Sequence, residues 1–453
     1  MTYINFFDAF GPTMNLTSKG ECVRLLTRRG GTHCMGHQTM NYHLSLGPRK
    51  TDRTPPSADE ILQDTQNFSL VLGGPLYQLL RRAHVTDDAL ELVRQRVLVI
   101  SLVAWLPLLV LSALEGHLLS RSVAIPFLLD LEVHIRFLVA VPVLIIAELV
   151  VHRRLRPIAR AFLDRKIIPE ASATRFDEAI RSAFRLRNSV AAELLMLAFV
   201  YGVGVFVIWR QYTALQTTAT WYAVPTPGGL TLSLAGFWYA YLSVPIFQFL
   251  LIRWYFRLFI WMRFLWQVSR IELSLVPTHP DRVGGLGFLA NTVYAFTALL
   301  VAHGAMLAAQ FANRIFFAGA VLTEFKVETG AMVLFLLCLV FGPLLVFAPQ
   351  LAQAKRTGLN EYGALAERYV REFDAKWLRG GSSAGEALVG SGDIQSLADL
   401  ANSFDVVRSM RIAPVTRDAV VRLAVAVIVP IVPLALTMMS LEDLLKKLFG
   451  LLL

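Results

Sequence analysis

Charged residues are scarce in this chain, and apolar residues take their place. Lysine, arginine, aspartate and glutamate make up 17% of the 453 residues, and hydrophobic residues make up 55%. Soluble domains usually contain about 25% charged and about 45–50% apolar residues. The apolar residues form blocks of about 20 with almost no charge, which is the length of a transmembrane helix. The composition therefore favours an all-α polytopic membrane protein over two or three soluble domains.

Cysteine is also rare, and a common metal-binding motif is missing. The three cysteines, Cys22, Cys34 and Cys338, form no spaced framework. Neither a disulfide scaffold nor a zinc site is therefore indicated. The sequence contains no H-E-x-x-H motif, which is typical of zinc-dependent proteases. We expect no metal and no cofactor.

Negative charge is outweighed by positive charge, giving a net charge of +10. Such an excess can indicate nucleic-acid binding, but here the basic residues cluster in alternate connections between the apolar blocks. The positive-inside rule assigns such connections to the cytoplasm. We therefore expect no nucleic-acid partner and an N-terminus in the cytoplasm.

Seven apolar blocks predict seven transmembrane helices, and the odd number places the C-terminus outside. Two amphipathic segments, 153–188 and 351–415, are predicted to form cytoplasmic helices that pack beneath the bundle. The predicted spans are about 97–115, 131–151, 189–210, 233–253, 286–311, 329–349 and 419–439.

The two ends of the chain differ from the transmembrane domain, which we place at 61–440. Residues 1–60 are polar and lack periodicity. We expect them to be either disordered or an overextended reading frame whose true start is Met40. Residues 441–453 group their acidic and basic side chains on one helical face, which predicts an interfacial amphipathic helix.

Ionisable residues inside apolar spans are costly and are the first candidates for function. On the second span, four of them share one helical face; on the fifth, a histidine near mid-span shares a polar stripe with a glutamine. These residues define a candidate path for a proton or another small ion. The alternative is that they pair with neighbouring helices. The path candidates are Asp130, His134, Glu148, His152, His303 and Gln310.

Small and helix-breaking residues indicate how the spans pack. A stripe of small residues lets a neighbouring helix approach closely, which predicts that the fifth span is central. Prolines inside spans are predicted to bend or break their helices. The small residues are Ala295, Ala298, Ala302, Ala305 and Ala309. The prolines are Pro245, Pro343, Pro430 and Pro433.

The fourth span continues as an apolar stretch to about Leu275, with arginines interleaved among tryptophans. Arginine beside tryptophan is typical of the headgroup layer, where the aliphatic stem is buried and the charge reaches water. We interpret this stretch as a long helix that tilts into the cytoplasmic interface. Its arginines are Arg253, Arg257, Arg263 and Arg270.

The string PTHPDRVGGLGFL at 277–289 directly precedes the fifth span. Its prolines stiffen the chain, its glycines permit close backbone approach, and Asp281 can cap the following helix. His279, Asp281 and Arg282 are candidates for binding an anion or a lipid headgroup beside that helix N-terminus. The alternative is a rigid loop in which Arg282 pairs with an acidic neighbour.

Three parts of the chain resemble a family of bacterial polytopic inner-membrane proteins. They are residues 133–157, the 277–289 string, and the stretch from GDIQSLADLANSF through RSMRIAPV to VPIVPLALTM. The resemblance covers most of the chain after about residue 70. It implies a multi-pass protein in a bacterial inner (plasma) membrane, and it carries no reaction or substrate.

Three classes of function remain open from the sequence. The leading one is membrane transport, as an ion channel or a secondary transporter for a small ion, because polar residues line two spans and several spans bend. The second is a non-catalytic sensor or an assembly subunit of a larger membrane complex, because the cytoplasmic segments suit partner binding. An intramembrane enzyme is the least favoured. The lipid bilayer is the expected partner, and a homo-oligomer or further complex partners are left open.

Overall fold

A computed structural model of the protein describes residues 69–71, 89–119, 123–209, 219–226, 229–381 and 385–438. Within these ranges the chain is helical apart from connecting turns, one isolated bridge and a two-stranded hairpin. The predicted N-terminal extension at 1–60 and the predicted interfacial helix at 441–453 lie outside the described residues.

The described residues form nine helices, with short 3₁₀ turns before the second and third. They are α1 (Ala89–Leu114), α2 (Leu131–Asp164), α3 (Ala173–Arg187), α4 (Val190–Phe199, continuing as a π-helix over Val200–Trp209), α5 (Leu234–Val268), α6 (Leu286–Ala318), α7 (Leu322–Leu378), α8 (Gly392–Arg408) and α9 (Arg417–Thr437).

A hairpin between α4 and α5 was not expected for an all-α protein. Strands β1 (Ala223–Thr226) and β2 (Gly229–Leu232) pair antiparallel, with Ala223 opposite Leu232. The Pro-Gly dipeptide at 227–228 is a turn-forming sequence and was the signal for a hairpin. The strands are too short for hydrophobic alternation to indicate them.

Six helices in the described part of the chain are long and apolar enough to cross a membrane: α1 from Val93, α2, α5, α6, α7 and α9. Helices α3 and α4 pass the same test only as a pair, which is bent by 48° and would make a seventh span. Six predicted spans are therefore confirmed as helices of spanning length and composition. The third, 189–210, depends on the bent pair.

Several of these helices are longer than a bilayer requires. Helix α2 has 34 residues, α5 has 35 and α7 has 57, whereas about 20 residues cross the hydrocarbon core. The predicted segment 153–188 is therefore not one separate element, since its first part is the end of α2 and its second part is α3. The segment 351–415 likewise begins inside α7 and continues into α8.

Most long helices change their hydrogen-bond spacing at a proline. Some irregular segments contain no proline, among them Val200–Trp209, Leu286–Phe296 and Asp374–Leu378. Four others lie at prolines: the π-helical Ile135–Ala140 and Tyr239–Ser243 and the 3₁₀-helical Gly342–Phe347 and Val429–Thr437. Each contains a proline or ends two residues before one. Proline lacks the N–H that would bond to the carbonyl four residues earlier, and its ring crowds that carbonyl, so the neighbouring bonds shift. At these prolines the structure shows altered hydrogen-bond spacing, while α2, α5, α7 and α9 each continue past the proline as one helix.

Helix α6 lies at the centre of the bundle. In its most apolar stretch 72% of residues are buried, against 22–44% in the other described helices of spanning length. At Gly304 an added methyl group would lie 2.1 Å from the Val427 carbonyl oxygen of α9, so only glycine permits this approach. The prediction that small residues make the fifth span central is confirmed.

The bundle has two ends that differ in their contacts. At the first, here called the Asp130 end, the start of α2 meets the hairpin and α6. At the second, here called the His279 end, the end of α2 meets α3 and the loop between α5 and α6. Buried phenylalanines from five helices pack at the His279 end: Phe162, Phe176, Phe264, Phe288 and Phe347. These aromatic contacts join the helices there into one core.

Candidate functional site

Five charged side chains from four helices meet inside the bundle. We call Arg96 of α1, Glu148 of α2, Glu193 of α4, and Arg253 and Arg257 of α5 the Glu148 cluster. Glu148 accepts hydrogen bonds from Arg96 Nη1 at 2.7 Å and from Arg257 Nη2 at 2.8 Å, one on each carboxylate oxygen. Arg253 Nη2 lies 3.8 Å from Glu193 Oε1. The cluster thus joins α1, α2, α4 and α5 through charge.

Local helix geometry brings these groups together. Arg253 and Arg257 lie four residues apart on α5 and so project from the same face. The Arg257 guanidinium lies 4.9 Å from the centre of the Trp254 ring. Trp254 Nε1 in turn donates to the Leu144 carbonyl of α2 at 3.0 Å. Because Leu144 lies one turn before Glu148, this bond holds α5 where its arginines reach the carboxylate.

The cluster is buried and carries more positive than negative charge. The side chains of Arg96, Glu148, Arg253 and Arg257 are only 4–8% exposed. Burying an ion costs several kcal/mol, roughly, unless a partner compensates it. Here three arginines face two glutamates, and Arg96 Nε and Arg257 Nη1 have no hydrogen-bond partner among the described residues. The arrangement therefore suits an additional anionic or hydrogen-bond-accepting group.

A cavity of about 10 Å³ adjoins the cluster. Its lining includes Arg187, Glu193, Arg253 and Arg257. That volume accommodates about one water molecule. In this conformation the cluster has space for a single water-sized species, which is too little for a conducting pore.

The burial of Arg253 and Arg257 corrects one interpretation of the sequence. Their spacing among tryptophans predicted side chains that reach the headgroup layer, and for these two residues that prediction is wrong. Carboxylates on α2 and α4 lie within reach, so ion pairing inside the bundle replaces hydration. Arg270 agrees better with the prediction, since it is exposed and its guanidinium lies 5.4 Å from the centre of the Trp266 ring.

Two of the predicted path residues lie at the Asp130 end, where neutral donors satisfy them. Asp130 is 5% exposed. It accepts hydrogen bonds from Asn313 Nδ2 at 2.8 Å, from Trp221 Nε1 at 2.9 Å and from two amides of the first turn of α2. His134 accepts one from Trp105 Nε1 at 3.0 Å. These bonds hold α1, α2, α6 and the hairpin segment together.

The remaining path candidates lie in separate places. His152 Nδ1 is 2.9 Å from the Ser69 hydroxyl. His303 is buried on α6, with Nδ1 2.7 Å from the Leu299 carbonyl oxygen and Nε2 2.7 Å from the Tyr255 hydroxyl. Gln310 is exposed. The structure therefore does not assemble the six predicted residues into one site.

In the 277–289 string, Asp281 caps the start of α6 as predicted. Its carboxylate accepts hydrogen bonds from the amides of Val283 at 2.8 Å, Gly285 at 3.2 Å and Gly287 at 2.8 Å. Burial alone would raise the pKa of Asp281, but these bonds and the nearby His279 imidazole lower it overall. A carboxylate bound in this way stays ionised and is occupied by the protein itself.

The other two residues of the predicted anion site have different surroundings. His279 Nδ1 lies 3.0 Å from Asp281 Oδ1. Arg282 is exposed and has a left-handed backbone, with φ of 58°. Its carbonyl accepts the Arg411 amide at 2.7 Å, and Arg411 Nη2 donates to the Asp281 carbonyl at 3.2 Å. Two of the three segments that carry the family resemblance are therefore in direct contact.

The charge partners of Glu148 were missed from the sequence. Neither Arg96 nor Glu193 was singled out in the sequence. The sequence did contain a signal for these ion pairs. Arg253 and Arg257 lie four residues apart, and acidic residues lie inside neighbouring apolar blocks. For metals, no group of three or more histidine, cysteine, aspartate or glutamate side chains in the described ranges is placed to hold an ion.

Six of the described helices, or seven with the bent pair, are long and apolar enough to cross a membrane, which indicates an α-helical protein of the multi-pass membrane class. No protein-family model, curated protein or solved structure matches the chain. The resemblance of its three segments to a bacterial family therefore stays a prediction.

Proposed function

We propose that the protein is a secondary transporter for a small anion. The strongest support is that the Glu148 cluster contains one arginine more than it has glutamates. These side chains are buried, where an uncompensated charge is costly. An anion bound there would neutralise the excess positive charge. It would also offer acceptors to Arg96 Nε and Arg257 Nη1, which lack partners among the described residues. Transport of a small ion was the leading interpretation of the sequence, and the surplus arginine supports an anion rather than a cation.

The shape of the helices supports alternating access rather than an open channel. The cavity beside the cluster has room for about one water-sized species. Irregular segments interrupt α2, α5, α7 and α9, and α4 continues as a π-helix. Such interrupted helices are common at binding sites of secondary transporters, where one part of the bundle rocks against another.

The proposed transporter has its N-terminus in the cytoplasm of a bacterium and is embedded in the inner membrane. The basic connections of the sequence support this orientation, and the family resemblance supports the location. In this orientation the His279 end, with α3 and α8, faces the cytoplasm, and the hairpin faces outside. Counting the α3–α4 pair as one span gives seven spans and an external C-terminus.

Flux measurements in proteoliposomes test the proposal. We expect purified protein to carry at least one of chloride, nitrate, sulfate and phosphate down an imposed gradient. Arg253→Gln should lower that flux by roughly tenfold, the effect of about 1.4 kcal/mol on a rate. This variant removes a cluster charge whose carboxylate partner is comparatively distant, at 3.8 Å, so the fold should tolerate it better than the loss of Arg257.

The matched control is Arg314→Gln. Arg314 pairs with Glu328 at 3.1 Å, and both side chains are 46% exposed, away from the cluster. Its removal should leave flux unchanged. Permeability no greater than in protein-free liposomes, or a flux of cations alone, would overturn the proposal.

A second function, as a sensor or an assembly subunit, is favoured by a different observation. Apolar side chains remain exposed on the last part of α7 and before α8, including Val370 at 50%, Leu378 at 71% and Val389 at 90%. Exposed apolar surface is typical of protein contact sites. Affinity purification from native membranes should then return a stoichiometric partner, and recovery of the bare protein would count against this function.

A further inference from the structure

A cleft of about 410 Å³ opens at the His279 end of the bundle. Its walls are the residues that follow α2 and the loop between α5 and α6. The lining residues are Arg165, Lys166, Ile167, Ser274, Val276, His279, Gly284 and Gly285. This volume falls in the range of small-molecule binding sites, in contrast to the cavity of about 10 Å³ beside the Glu148 cluster.

The polar lining of this cleft is basic. It includes Arg165, Lys166 and His279 and contains no aspartate or glutamate. The charged groups of Arg165 and Lys166 make no hydrogen bond or ion pair with the described residues. The Asp281 carboxylate, which lies 3.0 Å from His279 Nδ1, is bound to three amides before and at the start of α6. The cleft therefore offers two cationic donors, on Arg165 and Lys166, whose charge no acidic residue of its lining neutralises.

One of these donors is held in place by packing. The Arg165 guanidinium carbon lies 5.1 Å from the centre of the Phe288 ring, and Phe288 belongs to the aromatic core of the His279 end. Next to it, the Ser274 amide donates to the Ile167 carbonyl at 2.8 Å, which fixes the loop against the end of α2. A guanidinium already positioned on an aromatic face loses less entropy when it binds an anion.

The backbone at Lys166 adopts the left-handed conformation, which is unfavourable for a residue other than glycine. Lys166, with φ of 53°, and Arg282, with φ of 58°, are the non-glycine residues with positive φ in the described chain. Lys166 directly follows the C-cap residue of α2, Arg165. Glycine is the usual residue at that position because it adopts the left-handed conformation without strain. Strain of this kind is typical of functional sites.

We propose that this cleft binds a phosphate group, with Arg165 and Lys166 as the charged donors and His279 and the Ser274 hydroxyl as further polar contacts. Arginine and lysine beside a rigid wall are suited to phosphate oxygens. The phosphate belongs either to an anionic phospholipid headgroup or to a soluble molecule, since both present the same chemistry. The proposal does not depend on transport, because the Glu148 cluster contributes no residue to this cleft.

Two binding measurements on the full-length protein distinguish the sources. In the first, inorganic phosphate is titrated onto detergent-solubilised protein by calorimetry. In the second, the protein is placed in nanodiscs of phosphatidylcholine mixed with phosphatidylglycerol, and the lipids it retains are identified by native mass spectrometry. The double variant Arg165→Gln/Lys166→Asn removes both charges, and asparagine tolerates the left-handed backbone. The control is Arg160→Gln, which affects an exposed pair with Asp164 outside the cleft.

We expect saturable phosphate binding or selective phosphatidylglycerol retention, weakened about tenfold or more in the double variant and unchanged in the control. Binding of inorganic phosphate assigns a soluble ligand, and retention of phosphatidylglycerol alone assigns a lipid headgroup. Lys166→Gly separates this effect from misfolding, because relief of the backbone strain should raise the Tm while binding weakens. Absence of both kinds of binding, or equal binding by the double variant, would overturn the proposal.

Discussion

The Asp130 end and the Glu148 cluster each bury a carboxylate of α2, but they compensate it differently. Asp130 accepts hydrogen bonds from an amide side chain, an indole and two backbone amides. Glu148 accepts hydrogen bonds from two arginines, and a third arginine lies nearby. The direct donors to Asp130 are neutral, and the nearby Arg136 forms an ion pair with Glu132. In the Glu148 cluster the arginines instead outnumber the carboxylates.

Because of this difference, we expect the two carboxylates to have different roles. A carboxylate satisfied by neutral donors fixes the positions of the helices and needs no further ligand. A buried cluster with surplus positive charge destabilises the folded protein, and a bound anion reduces this destabilisation. Asp130 is thus expected to affect stability alone, while the Glu148 cluster is expected to affect both stability and transport.

The largest effect is expected from Glu148→Gln. Loss of the carboxylate leaves Arg96 and Arg257 buried without their charged partner, which should lower the free energy of unfolding by about 3–5 kcal/mol. Unfolding in detergent, followed by tryptophan fluorescence, measures the loss. Glu328→Gln breaks an exposed pair instead and should cost only about 0–1 kcal/mol. Equal losses in the two variants would show that the Glu148 pairs contribute no more than a surface ion pair.

Asp130→Ala should have the next largest effect. It leaves Trp221 Nε1 and Asn313 Nδ2 without their acceptor, at a cost of about 1–3 kcal/mol per unsatisfied group. The same unfolding assay measures this cost. Flux per folded protein in proteoliposomes should stay at the level of the unmodified protein. A loss of flux in properly folded Asp130→Ala protein would instead place the ion path at this end.

A smaller effect is expected from Asp281→Ala at the start of α6. Loss of a side-chain cap costs about 0.5–2 kcal/mol. Because folding lowers the pKa of Asp281, its contribution is complete above the ordinary pKa of aspartate and is lost as the pH falls through the lowered value. Tm measured from neutral pH down through this range should therefore converge for the two proteins at low pH. A difference that stays constant with pH would contradict an ionised cap.

The smallest effect is expected from Gln310→Ala. Gln310 is exposed on α6, and the described structure gives its side chain no role in the Asp130 end or the Glu148 cluster. Stability should change by less than about 0.5 kcal/mol, with flux unchanged. Reduced flux in this variant would move the ion path to the exposed face of α6.

The sequence predicted well those features that depend on local chemistry. Spans of about 20 apolar residues must be helical in lipid, because their backbone groups have no other hydrogen-bond partners. The alanine stripe of α6 predicted its central place, and the altered hydrogen-bond spacing near Pro245, Pro343 and Pro430 follows from the missing proline N–H. The cap at Asp281 needs only residues within six positions along the chain.

The candidate sites depended on contacts distant in sequence. Glu148 and Arg257 are 109 residues apart, and Asn313 and Asp130 are 183 apart. Helical periodicity shows which residues share one face of a helix, but not which helix lies opposite that face. For that reason Arg253 and Arg257 were predicted to extend to the headgroups, and the basic cleft beside Lys166 was not predicted.

The sequence by itself thus determined an α-helical membrane architecture, its irregular points and its central helix, since each follows from the solvation and hydrogen bonding of one segment. Only the tertiary structure decided which buried charges compensate each other. That choice depends on the packing of α1, α2, α4 and α5, which brings three arginines to two carboxylates in the Glu148 cluster, whereas the direct hydrogen-bond donors to Asp130 are neutral.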